Sequence, residues 1–306
     1  MAPGPGGGRL SPEGGGRRRP GKGRPPGSGT GGGDAPGRPP RARKSLGQHF
    51  LSDPGILRRI VEGAGVAEGE TVLEIGPGPG GLTRALLAAG ARVWALEADP
   101  RMVEHLERAG LEGLRVWVAD ALEADYEALA GEAGGPLRVV ANLPYNISGP
   151  LLARLLRQRR AFTSLTLMLQ REVGERICAP PGTRQRGSLS VLAQCFCRVS
   201  LLLRVSPGSF RPPPKVESVV VRLDRRPEPA VGDEEALWTT VRSGFGQRRK
   251  MLRNSLRALA GEDLEAVLGQ AGLTGRERPE ALGVEDWVRL ADAVASRGRG
   301  GQGRGG

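Results

Sequence analysis

The hydrophobic positions between residues 71 and 169 fall into short runs, each closed by a polar or glycine-rich turn. Residues 71–75, 92–96, 115–118, 137–141 and 165–169 have the length and β-branched content of buried strands. Between several of them the apolar residues recur at helical spacing, as in 82–87. Strands alternating with helices predict an α/β fold built on an open, largely parallel, doubly wound sheet. Upstream, Asp53-Pro54 reads as an N-cap followed by proline at the first helical position, starting a helix that runs to about Gly63. Downstream, two further β runs at 201–205 and 216–223 give way to helical patterns at 234–243, 247–259, 264–271 and 284–295. This divides the chain into a Gly/Pro/Arg-rich tail (1–43), an α/β domain (44–226), a small helical domain (227–296) and a short tail (297–306). The tails hold too few apolar residues to offset ordering entropy and are expected to be disordered.

Each of the first four strands delivers a polar residue or a glycine turn to the same edge. After the first comes Gly76-Pro77-Gly78-Pro79-Gly80, whose glycines let the backbone approach a ligand. Its spacing is not that of a dinucleotide fingerprint, and no Gly-Lys-Ser/Thr follows as in a phosphate loop. The second strand ends at Glu97, where a carboxylate can take both hydroxyls of a ribose. Asp99-Pro100 is better used as a helix cap. The third strand is followed by Asp120, placed to accept from an adenine amino group, though helix capping is its ordinary use. The fourth opens into Asn142-Leu143-Pro144-Tyr145. Here a side-chain amide oxygen and a backbone carbonyl can accept both N–H bonds of a purine amine and favour a more pyramidal, nucleophilic nitrogen. Pro144 fixes the local backbone, and Tyr145 can stack on the base, worth roughly 1–3 kcal/mol. Together these residues indicate a nucleoside-type cofactor across the sheet edge and a flat, aminated substrate beside Asn142.

Charge sharpens the picture of the partner. The formal net charge is +12, distributed as +8 over residues 1–44, −7 over 45–150, +10 over 151–230, −2 over 231–296 and +3 over 297–306. An acidic half joined to a basic half fits a small-molecule domain beside a surface for a polyanion. Arg154, Arg157, Arg159 and Arg160 are expected to present cations next to the target pocket. Arg249, Arg253 and Arg257, at a four-residue interval, are expected to line one helix face toward RNA phosphates, with Met251, Leu252, Leu256 and Leu259 turned inward. Cys178, Cys195 and Cys197 have neither metal spacing nor the even number of a disulfide framework, so inert thiols in a reducing compartment are expected. No apolar run is long enough to span a membrane and no signal-peptide core is present.

Five stretches carry a resemblance to a known family. They are the segment 44–51 (Lys-Ser-Leu-Gly-Gln-His-Phe-Leu), 74–78 (Glu-Ile-Gly-Pro-Gly), 142–148 (Asn-Leu-Pro-Tyr-Asn-Ile-Ser), 210–216 (Phe-Arg-Pro-Pro-Pro-Lys-Val) and 247–256 (Gln-Arg-Arg-Lys-Met-Leu-Arg-Asn-Ser-Leu). With them the chain resembles the bacterial small-subunit (16S) ribosomal RNA adenine N6,N6-dimethyltransferases of the KsgA type. The first three stretches are shared with the Erm methyltransferases of large-subunit RNA. The resemblance implies a class I, Rossmann-like methyltransferase fold with a small C-terminal helical domain, S-adenosylmethionine as cofactor, no metal, and a cytoplasmic monomer. The implied substrate is a pair of adjacent adenosines in a hairpin near the 3′ end of 16S rRNA in the immature 30S subunit. It further implies cofactor contacts from His49, Leu51, Gly76, Glu97, Asp120 and Asn142, and catalytic roles for Asn142, Pro144, Tyr145 and Phe210, the last as the second face of a base sandwich opposite Tyr145. Several family members have Asn where this chain has His49. The competing readings are an Erm-like enzyme acting on 23S rRNA and a non-catalytic RNA-binding assembly factor.

Overall fold

In the computed structural model, which describes residues 39–43, 47–227, 231–247 and 250–301, seven strands form one sheet. They are β2 (Thr71–Ile75), β3 (Arg92–Glu97), β4 (Leu114–Val118), β5 (Leu137–Asn142), β6 (Phe162–Gln170), β7 (Cys197–Val205) and β9 (Ser218–Arg225), in the order β4-β3-β2-β5-β6-β9-β7. The first five run parallel to one another, whereas β9 runs antiparallel to both β6 and β7. A separate two-residue pair joins β1 (Phe50–Leu51) to β8 (Phe210–Arg211), antiparallel.

Helices cover both faces, so alternate strand residues enter two different cores. Val72, Val93 and Val140 pack with Leu57 and Ile60 of α1 (Pro54–Ala64) and with Leu82 and Leu86 of α2 (Gly81–Ala88). Leu73, Val139 and Leu167 pack on the other side, against Leu151 and Leu155 of α5 (Ser148–Arg157). Helix α1 starts as its sequence demands: Asp53 accepts from the backbone N–H groups of Gly55 and Ile56, Pro54 opens the first turn, and Gly65 ends the helix at φ 65°.

The C-terminal helices α8 (Glu234–Phe245), α9 (Leu252–Ala260), α10 (Leu264–Gln270) and α11 (Val284–Gly301) share the second of these cores. Trp238, Leu256 and Trp287 belong to the same buried cluster as Leu73 and Val139, and the described residues fall within one compact unit spanning 37–306. Arginines tie the helices to the sheet. Arg159, 5% exposed, makes a two-pronged bond to Glu234 at 2.8 Å and lies 4.1 Å over the Phe196 ring. Arg157 pairs with Glu235 at 2.8 Å and covers Trp238 at 4.3 Å. Arg154 donates to the Ala124 carbonyl. None of these residues, nor Arg160, lines the pocket at the carboxyl edge of the sheet, so the expectation of a cationic rim there is corrected.

Two boundaries also differ from the sequence reading. Helix α9 starts at Leu252 rather than 247, because Met251 is extended (φ −65°, ψ 153°). Met251 therefore precedes the helical register and is 45% exposed, while Leu252 and Leu256 face inward as expected. Helix α11 runs to Gly301, past the expected boundary at 296. Most of the N-terminal tail, the stretch 44–46 of the first motif, Arg249 and the last five residues lie outside the described residues.

Candidate active site

The chain leaves β2 outward to β3 and β4, then returns to β5 on the other side of β2. That reversal opens a crevice at the carboxyl edge, the usual ligand position in open α/β sheets. A cavity of about 180 Å³ occupies it, and Gly76, Glu97, Asp120 and Asn142 from four successive strands all line it. His49, Pro144 and Tyr145 line it too.

Each of these residues is held by its element. Gly76 and Gly78 have φ of 70° and 54°, and a Cβ on Gly78 would come within 3.0 Å of the Phe50 ring, so that turn has no room for a side chain. Glu97, 6% exposed, accepts from the Gly78 N–H at 3.0 Å and the Asp99 N–H at 2.9 Å. Burial raises its pKa, and those two donors oppose the rise. Asp99 caps α3 (Pro100–Arg108), as expected, and pairs with Arg101. Asp120 lines the pocket and also accepts from the Leu122 N–H at 2.8 Å, so its ordinary turn-capping use is present alongside.

The Asn142 amide donates through Nδ2 to the His49 carbonyl at 3.0 Å. A carbonyl only accepts, so this bond fixes the amide's rotation and leaves Oδ1 as the acceptor on its other arm. Leu143 lines the pocket although it is 1% exposed, and its N–H is committed to the Met168 carbonyl. That N–H is therefore not available to the cavity as a donor. The Tyr145 hydroxyl bonds Ser218 Oγ at 2.7 Å, which anchors the ring to β9, and burial raises its pKa.

Two expected roles are corrected. Phe210 is fully buried among Leu51, Val205 and Val220, and it does not line the pocket, because the β1–β8 pairing turns its ring into the core. The ring that faces Tyr145 is instead His49, stacked with centroids 5.5 Å apart and planes at 27°, its Nδ1 donating to the Pro212 carbonyl at 2.9 Å. Leu51 is likewise a core side chain at 7% exposure and is not among the residues that line the pocket. Sequence reasoning missed Ser218, which has no local motif to mark it. Asn146 and Phe50, also on the pocket wall, lay in quoted motifs without an assigned role.

Electrostatics limit what the pocket can hold. Among the described residues, its charged lining residues are Glu97 and Asp120, with no Lys or Arg beside them. Two carboxylates on the described wall favour a cationic or hydrogen-bond-donating ligand over a polyanionic one. Among the described residues no group of three or more metal-ligating side chains occurs, and no helix is long and apolar enough to cross a membrane.

The ribosomal RNA adenine dimethylase family matches residues 40–296. Ribosomal RNA small subunit methyltransferase A of Chelativorans sp. (strain BNC1) is 48% identical over 260 residues, covering 83% of this chain and 93% of that protein. The Rhodospirillum rubrum protein of the same name is 48% identical over 262 residues, covering 84% and 89%. Among solved structures, a dimethyladenosine transferase from Plasmodium falciparum matches with a TM-score of 0.70 at 27% identity, covering 82% of this chain and 98% of that one. The 23S rRNA methyltransferase ErmE matches at 0.61 and 29%, covering 80% and 99%.

Proposed function

The chain belongs to the ribosomal RNA adenine dimethylase family, and we propose that it dimethylates N6 of two adjacent adenosines near the 3′ end of 16S rRNA. S-adenosylmethionine would be held by Glu97 at the ribose, Asp120 at the adenine and the Gly76 turn along the methionine portion, and when bound it supplies an electrophilic sulfonium methyl. The observation that carries this reading is a pocket whose charged walls, among the described residues, are Glu97 and Asp120, set against an Asn142 amide whose acceptor arm is fixed by the His49 carbonyl.

The chain's own residues then do three things. Tyr145, tethered through Ser218, gives a flipped base a face to stack on. Asn142 Oδ1 and the Leu143 carbonyl accept the two amine hydrogens, which localises the nitrogen lone pair. The 47–50 loop excludes water, so orientation and desolvation supply most of the acceleration. After transfer the surplus amine proton passes to solvent, and the remaining N–H keeps an acceptor for the second round.

The substrate assignment rests on relatives 40–48% identical that carry the small-subunit name. The 23S reading has only a structural likeness at lower identity behind it. The enzyme acts as a monomer in the cytoplasm on the immature 30S particle. The test is Asn142→Ala, which abolishes transfer to undermethylated 30S particles while calorimetric cofactor affinity and RNA binding change less than about fivefold. Retained transfer contradicts the assignment of Asn142.

A further inference from the structure

Arg186 is the anomaly of the molecule. It sits in the exposed loop after α6 (Arg171–Cys178), yet it is 1% exposed. Its Nη1 donates to the Ala179 carbonyl and to Gln194 Oε1, but Nε and Nη2 have no hydrogen-bond partner. Those two nitrogens are the side-on edge of the guanidinium, the fork that matches phosphate or carboxylate oxygens two at a time. A guanidinium does not escape burial by losing its proton, so bare donors on a buried charge are costly.

A cleft of about 330 Å³ opens beside it, within the usual range for small-ligand sites. Its wall includes Arg198 and Arg226, both exposed, and among the described residues neither has an ion-pair partner. Asp224 lies opposite Arg198 in the β7–β9 register, but its carboxylate is paired with Arg222 at 2.8 Å. The acid on the cleft is Glu285, whose field reaches Arg186 without a hydrogen bond to it. Among the described residues, three cations against one carboxylate leave the cleft positive.

We propose that this cleft is a binding site for a phosphate group, received by the Nε/Nη2 edge of Arg186 and flanked by Arg198 and Arg226. The site is distinct from the pocket at Asn142. β7 begins, and antiparallel β9 ends, at the amino edge of the parallel strands, opposite the carboxyl edge where Gly76, Glu97 and Asn142 meet. Bulk water does not reach the bare edge. Entry therefore requires the wall to yield, and the largely exposed stretch from Pro180 to Gln185 can lift only by breaking the bond from the Gly182 N–H to the Glu280 carbonyl.

The phosphate could belong to an RNA backbone or to a free phosphorylated metabolite, and the experiment separates them. Melting of the full chain is followed in sodium phosphate and in sodium chloride of equal ionic strength. Phosphate is expected to raise the wild-type melting temperature by roughly 2–4 °C. Arg186→Gln is expected to abolish that rise, and the surface variant Arg198→Gln/Arg226→Gln, which disturbs no core residue, to reduce it by at least half. Affinity for 30S particles is then measured for the surface variant. A fall of about fivefold or more with kcat unchanged identifies RNA phosphate as the ligand, while unchanged affinity with the phosphate response lost identifies a free phosphorylated molecule. Equal melting of the wild type in both salts, or a phosphate response that survives Arg186→Gln, overturns the proposal.

Discussion

Asn142 carries an amide with two opposite ends, and the His49 carbonyl decides which end is left to receive a substrate. The His49 side chain has a separate effect, because its ring lies on Tyr145 where a base must stack. A base needs about 3.5 Å on each side, so the imidazole has to move before one enters. An aromatic stack is worth about 0.5–1.5 kcal/mol. His49→Ala should therefore lower KM for RNA by roughly three- to tenfold while kcat holds. A raised KM would mean that the imidazole instead stays as the second face of the sandwich. Glu74 offers a pH test. It is 1% exposed, accepts from Thr83 Oγ1 at 2.7 Å, and has its pKa pushed up to about 8, chiefly by burial. Between its unfolded value near 4.5 and 8 the folded chain holds the proton more tightly than the unfolded one. Stability from this group is therefore full below the unfolded value and falls as pH rises through that window. Glu74→Gln keeps an acceptor for Thr83 and cannot ionise, so its melting temperature should exceed wild type at pH 8.5 and differ little at pH 5. Equal shifts at both values would contradict the burial of a neutral carboxyl.

Elements were legible where the physics is local. The strand runs, the Asp53-Pro54 cap and the polar residues ending four strands are each written within a few positions, and the structure brings Gly76, Glu97, Asp120 and Asn142 to one cavity. What the sequence hid depends on distant partners. Phe210 looked like a free stacking ring, but its direction is set by pairing with Leu51, far away in the chain. Arg157 and Arg159 looked like cations beside the target pocket, yet their partners Glu235 and Glu234 lie on α8. The chain changes from α7 (Ser188–Phe196) to β7 between Cys195 and Cys197. Both thiols are buried, with pKa pushed up to about 11 and about 12 by desolvation. Arg159→Ala should consequently destabilise the whole unit by about 1–3 kcal/mol, because it strips a charge-assisted pair from Glu234. Urea unfolding checks this; an unchanged midpoint would show that the α8 contact contributes nothing. Arg253 is tied to Glu265 at 2.8 Å, so Arg253→Glu should lower stability as well as RNA affinity rather than act on RNA alone.

At the scale of the whole molecule, the acidic and basic halves read from the sequence resolve into different uses of charge. The acidic half furnishes a pocket whose charged walls, among the described residues, are carboxylates, while several arginines of the basic half act as internal ties between the sheet and the C-terminal helices. The account stands on methyl transfer to adenine N6 at the Asn142 edge. The measurement that bears on it most directly is transfer of labelled methyl from S-adenosylmethionine to undermethylated 30S particles, with 50S particles alongside and Asn142→Ala as the control. The account predicts label in 16S rRNA, recovered as N6,N6-dimethyladenosine and absent with the variant. Label confined to 23S rRNA, or no label with 30S binding intact, would contradict it.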